Sequence, residues 1–306
     1  MIYDLIIIGA GPAGITASVY AARKRMNFLV ISKDIGGQTA WSGDIENYTG
    51  YQFITGPDLT AKFQEHIKKY NVEVKEEEVL DLRSESKIIK IKTDKAIYES
   101  KTVIVASGKT SMELGVPGEN EFKNKGLTYC ATCDGPLFSG KKVAVIGGGN
   151  SGLDAAIQLM KIAEHIYLIN ITDELTGDPI MQQEVRNSDK VTILNKTQAV
   201  AVFGDKFVKG IEVETKGKSK SMLEVAGIFV EIGLVPNSGF AKELEKNEAD
   251  EIKVNSFNET NIPGVFAAGD VTDVPEKQIV IAAGEGSKAA LSAFKYLIHN
   301  RARLKE

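Results

Sequence analysis

One local pattern occurs twice in this chain and constrains it more than any other feature. Leu5-Ile6-Ile7-Ile8 runs into Gly9-Ala10-Gly11-Pro12-Ala13-Gly14 and then an alanine-rich helical stretch to Arg25. Val143-Ala144-Val145-Ile146 runs into Gly147-Gly148-Gly149-Asn150-Ser151-Gly152 and then the helical stretch Leu153–Met160. An unbroken apolar run reads as a strand buried on both faces, as in a parallel sheet. Glycines spaced Gly-x-Gly-x-x-Gly after such a strand let backbone approach a pyrophosphate, which rests on the helix N-terminus. A tight strand-to-helix turn with no ligand would need the same glycines. The strand–glycine–helix–strand context, closed by Phe28-Leu29-Val30-Ile31 in the first copy, favours nucleotide binding.

The repeat predicts an α/β fold of two Rossmann-like dinucleotide-binding domains. The first is read over residues 1–112. It includes an amphipathic helix at 58–70 and a small antiparallel sheet at 72–98, and it ends in the buried strand leading to Gly108. A change of composition from Glu113 to Lys125 reads as a linker into a second domain, 113–244. From about 245 the chain is expected to return to the first domain, so that residues 245–306 complete it. That last part holds the strand Gly264–Asp270 and a helix over Ser287–Asn300.

Between the copies lies Cys130-Ala131-Thr132-Cys133-Asp134, which contains the only two cysteines. Cys-x-x-Cys is either a redox disulfide or half of a zinc site. Zinc needs about four ligands, and His66, His165 and His299 lack ligand spacing, so no metal is expected. A structural disulfide closing so tight a loop removes little unfolded-state entropy. The remaining reading is a cycling dithiol with a locally tuned thiol pKa, in which Asp134 manages protons or, as the alternative, caps a turn.

Composition narrows the setting. A net charge of −4 argues against a general nucleic-acid surface. No apolar run is long enough to span a membrane. The N-terminus enters a strand without a basic segment, so no signal peptide is expected. A redox pair without export signals fits the cytoplasm. Lys295, Arg301, Arg303 and Lys305 form a modest basic cluster that reads as an ordinary solvated helix end.

With these motifs placed, the chain resembles the low-molecular-weight thioredoxin reductases over its whole length. The matching segments are 9–14, Gly36-Gly37-Gln38, 130–134, 147–152 and Ala267-Ala268-Gly269-Asp270. Cys133–Phe138 and Lys277–Gly286 are also similar to the flavoprotein component of alkyl hydroperoxide reductase, whose extra N-terminal thioredoxin-like unit is not expected within these 306 residues. The resemblance implies a homodimer and FAD held by a discontinuous first domain, with a nicotinamide-domain-like insert between its parts. It places the cofactor against Gly9, Gly11, Pro12, Ala13, Gly14, Gly37, Gln38, Asn47, Gly108, Gly269, Asp270, Gln278 and Ile279. It makes Cys133 the flavin-side thiol, Cys130 the thiol that attacks thioredoxin, and Asp134 the proton donor and acceptor.

The donor is where the pattern departs from the family. NADPH enzymes of this kind follow the second strand of the insert with a basic cluster. Here Leu168-Ile169-Asn170-Ile171-Thr172-Asp173 follows, with no Lys or Arg between Lys161 and Arg186. A phosphate dianion without a cation binds poorly, and an NADH site would want an acid near 170. Reduced ferredoxin is therefore the expected donor, as in the ferredoxin-dependent flavin thioredoxin reductases, with the second glycine motif kept for packing. An NADH- or NADPH-dependent reductase serving thioredoxin or a peroxiredoxin is the alternative. A ferredoxin–NAD(P) oxidoreductase-like flavoprotein is a further one, against which the cysteine pair counts.

Overall fold

The structure is a computed structural model that describes the chain except Gly43, Glu46, Ser86 and residues 301–306; the side chains of Trp41, Asp44, Thr132 and Cys133 also lie outside the described residues. Three positions of the basic cluster, Arg301, Arg303 and Lys305, fall in that outer group. The chain divides into two compact units, Met1–Thr110 with Val235–Glu306, and Ser111–Leu234.

In the first unit β1 (Ile2–Ile8) feeds α1 (Pro12–Arg23), which returns to β2 (Phe28–Ser32). The four residues Leu5 to Ile8 are at most 4% exposed, as a strand covered on both faces demands. β1 pairs in parallel with β2, Ile7 opposite Val30. Proline at the first helical position suits α1, because that N–H has no intrahelical acceptor. After α2 (Gly56–Lys69), capped by Thr55, come β3 (Val74–Glu76), β4 (Val79–Glu85), β5 (Ile88–Thr93) and β6 (Ile97–Val105). β3 joins β2 in parallel, and β4, β5 and β6 pair antiparallel. The segment expected as a separate small sheet is thus an extension of the main one, since β6 also runs parallel beside β1.

The second unit repeats the plan. β7 (Lys142–Ile146), α3 (Asn150–Met160) and β8 (His165–Ile169) correspond to β1, α1 and β2. α4 (Pro179–Arg186) and β9 (Val191–Leu194) follow. β10 (Gly227–Val230) lies parallel beside β7, with Phe229 opposite Val145, as β6 lies beside β1. Three antiparallel strands, Thr197–Gly204, Val208–Thr215 and Lys220–Glu224, form a second layer. The stretch read as a linker is tied down here. Glu119, 2% exposed, accepts the Leu114 and Gly115 amides at 2.6 and 2.7 Å and the Tyr129 hydroxyl at 2.7 Å.

The chain rejoins the first unit at Val235. Asn237 anchors the return: its amide donates to the Ser107 carbonyl at 2.9 Å and its carbonyl accepts the Ser107 hydroxyl at 2.7 Å. β11 (Val265–Ala267) then pairs with β6, and α5 (Ile279–His299) packs on α1. α5 begins eight residues before the expected helix, because the alanines and glycines of its first turns face small residues of α1. A Cβ on Gly286 would stand 2.0 Å from the Ala13 carbonyl, so the two helices approach at backbone contact.

Candidate active site

The residues expected to hold a cofactor in the first unit form one connected surface. Gly9, at φ +106, makes the turn out of β1, where a side chain would be strained. Gly14 packs against it, since a Cβ there would sit 1.9 Å from the Gly9 carbonyl. Gly11 differs: a Cβ there would meet nothing nearer than the Gly36 carbonyl at 3.9 Å, which leaves open space before the first turn of α1. Pro12 and Ala13 open that turn. The Gly36 amide donates to the Ala10 carbonyl at 2.8 Å, which lays Gly37 against Gly11. Gln38 donates to the Lys109 carbonyl at 2.7 Å, beside Gly108, whose missing side chain also faces open space. Gly269 rests on Ala13 and Ala282. Asn47 donates to Gln278 Oε1 at 3.0 Å, and Gln278 precedes Ile279, the first residue of α5.

This cradle fits a dinucleotide. The vacant volumes at Gly11 and Gly108 take what a Cβ would fill. Asp270, partly buried, has no hydrogen-bond partner among the described residues, so its carboxylate remains for a hydroxyl. Burial raises its pKa, and the charges of Lys277 and Lys109 oppose that. Both cations meet at Glu251: Lys109 at 2.7 Å and Lys277 at 3.1 Å. The end of β2, where an acid is expected for a ribose, is used otherwise. Ser32 Oγ accepts the Ala10 amide at 3.0 Å, and Asp34 accepts the Gly37 amide at 3.2 Å.

The second glycine motif has the same division. A Cβ on Gly152 would meet the Gly147 carbonyl at 2.0 Å, whereas Gly149 has only Thr176 Oγ1 at 3.9 Å. Asn170, 3% exposed, closes over Gly148 and is fully engaged. Its amide donates to the Thr172 carbonyl at 3.2 Å and to Asn195 Oδ1 at 2.8 Å, and its oxygen accepts the Thr172 hydroxyl at 2.9 Å. Asn170 therefore staples the loop after β8 to the loop after β9. Asp173 pairs with Lys196 at 3.2 Å.

Cys130 is disulfide-bonded, in a chain of two cysteines; the side chain of Cys133 lies outside the described residues. The turn closes with the Asp134 amide on the Cys130 carbonyl at 3.2 Å. The Asp134 carboxylate accepts the Thr128 hydroxyl, and Thr128 Oγ1 in turn accepts the Cys130 amide at 3.2 Å. Glu231, one residue beyond β10, reaches the same turn: its Oε1 accepts the Ala131 amide at 3.4 Å. Burial, with Asp154 adding like charge, pushes the Glu231 carboxyl up to about 7, against the Ala131 hydrogen bond. Neither Thr128 nor Glu231 carries a sequence signature, the latter being 100 residues away.

The arrangement of a twinned nucleotide fold with a disulfide in its second unit defines a flavoprotein disulfide oxidoreductase. The chain belongs to the pyridine nucleotide-disulphide oxidoreductase family, whose model matches residues 3–286. It is 42% identical over 301 residues to the NADH dehydrogenase of Ferdinandcohnia aciditolerans, covering 97% of this chain and 58% of that protein. To the F component of the alkyl hydroperoxide reductase of Escherichia coli it is 42% identical over 312 residues, covering 98% and 59%. The chain thus spans about three-fifths of the length of these relatives. The thioredoxin reductase of Lactococcus lactis superposes with a TM-score of 0.81 at 34% identity, over 97% of this chain and 99% of that one. A ferredoxin-flavin thioredoxin reductase from Clostridium acetobutylicum gives 0.54 at 32% identity, over 97% and 98%. The fold is that of the thioredoxin reductases, and proteins of this family are FAD-binding flavoproteins. No helix among the described residues is long and apolar enough to cross a membrane.

Proposed function

We propose that this chain takes electrons from NADH, passes them through FAD to the Cys130–Cys133 disulfide, and delivers them to the disulfide of a thioredoxin-like protein. The observation that carries the reading is the disulfide-bonded Cys130 on a turn tied through Thr128 to Asp134, in the unit with an open nucleotide cradle at Gly149. Met1–Thr110 with Val235–Glu306 is the FAD unit, and Ser111–Leu234 the nicotinamide-domain-like insert. Gly9, Gly11, Pro12, Ala13 and Gly14 would hold the pyrophosphate. Gly37, Gln38, Asn47, Gly108, Gln278 and Ile279 would line the remainder, with Gly269 and Asp270 at a ribityl hydroxyl. The working unit is a cytoplasmic homodimer.

FAD, when bound, would supply a carrier that accepts one hydride or two single electrons and gives up an electron pair. Opening the disulfide then takes two electrons, and one sulfur emerges as a thiolate. The Asp134 carboxyl, fixed by Thr128, holds the proton that this sulfur takes and gives up. Cys130 is the thiol that attacks the partner disulfide, and Cys133 its resolving neighbour.

NADH replaces ferredoxin as the favoured donor because of relatedness. The relatives at 42% identity are named as an NADH dehydrogenase and as the F component of alkyl hydroperoxide reductase, whereas the ferredoxin-linked structure superposes less closely. NADPH is disfavoured by the missing cations after β8. Ferredoxin stays as the second reading on one observation: Asn170 has no polar atom left for a ribose.

The test is anaerobic bleaching of the yellow protein with NADH, NADPH or reduced ferredoxin, followed by addition of an oxidised thioredoxin. Bleaching at least tenfold faster with NADH than with NADPH, and thioredoxin reduction lost in Cys130→Ser, is the expected result. Faster bleaching by ferredoxin at equal electron equivalents would overturn the donor, and full thioredoxin reduction by Cys130→Ser would overturn the path.

A further inference from the structure

Glu231 is a carboxyl group that the reaction outlined above leaves unused, yet it touches the redox turn. It follows β10, and its backbone is fixed on both sides: the Glu231 amide donates to the Ile146 carbonyl at 2.8 Å, and its own carbonyl lies over Gly147. Its side chain therefore enters the turn from a rigid strand end and accepts the amide of Ala131, the residue after Cys130. It forms no ion pair among the described residues. From α3 it faces Asp154, whose carboxylate accepts from Gln158 at 2.7 Å. From the turn itself comes the Ala131 amide, while the carboxylate of Asp134, the titratable group of that turn, accepts from Thr128. From the β7–α3 turn comes Gly147, without a side chain.

Building on the disulfide reading, we propose that Glu231 is a positioning residue of the redox turn that takes up one of the two protons entering when the Cys130 disulfide is reduced. Two electrons break the S–S bond. One proton goes to a sulfur, the second to the Glu231 carboxylate, and the other sulfur stays a thiolate, so the charge of the site is unchanged. A new thiolate beside a carboxylate disfavours the charged carboxylate and raises its proton affinity. Burial and Asp154 already hold that affinity high in the disulfide form. Reduction and Glu231 protonation are then linked, and above about pH 7 each unit of pH acts on one proton more than the sulfurs alone take up.

The experiment equilibrates the FAD-loaded protein with dithiothreitol buffers between about pH 6 and pH 8.5, a span set around the titration of this carboxyl. Reduced Cys130 is quantified by alkylation and mass spectrometry. Above neutrality the wild-type equilibrium constant, corrected for the two protons that dithiothreitol itself gives up on oxidation, should fall with pH more steeply than that of Glu231→Gln, by up to about tenfold per unit, because glutamine keeps the acceptor for Ala131 but cannot titrate. Asp154→Asn, which removes like charge from an exposed site, should move the wild-type break to lower pH. Parallel curves for wild type and a folded Glu231→Gln would overturn the proposal. So would loss of the steep limb in Asp134→Asn together with its survival in Glu231→Gln. If Glu231→Gln does not fold, Asp154→Asn decides alone: a shifted break supports the proposal and an unmoved one overturns it. The titration uses neither NADH nor thioredoxin, so failure of the protein to reduce thioredoxin would sink the proposed function and leave this result standing.

Discussion

The hydroxyl of Thr128 donates to the carboxylate of Asp134, and the same oxygen accepts the amide of Cys130. One side chain thus joins the proposed proton-handling group to the backbone of the proposed attacking thiol, and fixes the geometry that such a proton transfer needs. Asp134→Asn should lower thioredoxin reduction by about a hundredfold, the usual scale of a lost general acid. Bleaching of the flavin by NADH should be unchanged. Thr128→Val removes only the tie and should cost about fivefold, the equivalent of one hydrogen bond. Stopped-flow measurement of the two half-reactions separates these effects, and equal losses in both would count against Asp134 as the proton carrier.

Within each glycine motif the structure separates two jobs. Gly14→Ala would press a methyl group to 1.9 Å of the Gly9 carbonyl, whereas Gly11→Ala would meet nothing closer than 3.9 Å. Gly11→Ala should therefore fold with the wild-type circular dichroism spectrum and lose most of its bound flavin. Gly14→Ala should lose the fold with the flavin. Flavin absorbance per protein, read beside the unfolding midpoint, checks both. A fully yellow Gly11→Ala protein would show that the open space at α1 is not a cofactor site.

Glu251 is 14% exposed at its side chain and binds two lysines. Burial works against its charged form, but hydrogen bonds from Lys109, Asn247 and Lys277 outweigh burial and hold its pKa at about 2. An unfolded glutamate titrates near ~4.3. The folded value is the lower one, so this stabilisation is present above ~4.3 and is lost as pH falls through about 2. Glu231 has the opposite sign. Its folded value, about 7, lies above the unfolded one, so its contribution is present below ~4.3 and is lost as pH rises through about 7. Glu251→Gln should cost about 3 kcal/mol at neutral pH, because two largely buried cations lose their counter-charge. Its acid limb should flatten, while Glu231→Gln should flatten the limb between acid and neutral pH. Urea unfolding across pH reads both.

Chain-local patterns were legible without coordinates. The apolar runs at 5–8 and 143–146 and the glycines after them specify strand, turn and helix from neighbouring residues alone. The halves of each sheet then follow from the right-handed connection such units make. What required tertiary proximity was not legible. Nothing in the sequence marks Thr128; its part emerges only where the turn folds back on it. Glu231 reads as the end of a strand. The Glu113–Lys125 stretch looks like a linker because its charges are frequent, yet Glu119 is buried by the amides and the tyrosine that it collects. Asn170 stands out in the sequence for the charge it lacks. Its actual work is to staple two loops.

That staple bears on the donor. Every polar atom of Asn170 is engaged within the second unit, so NADH cannot depend on it for a ribose hydrogen bond without breaking the staple. Under the proposed function, NADH binding rests instead on the backbone cradle at Gly149, where space is open. Gly149→Ala should raise the KM for NADH at least tenfold, the scale of about 1.4 kcal/mol. It should leave FAD content and stability at wild-type values. Asn170→Ala should instead cost about 1–3 kcal/mol of stability through its orphaned partners and alter the KM less than Gly149→Ala does. NADH titration of the two variants beside their urea curves distinguishes the roles. If Gly149→Ala bleached at the wild-type rate and affinity with NADH, the second glycine motif would be a packing element only, and the single-electron donor would become the better reading.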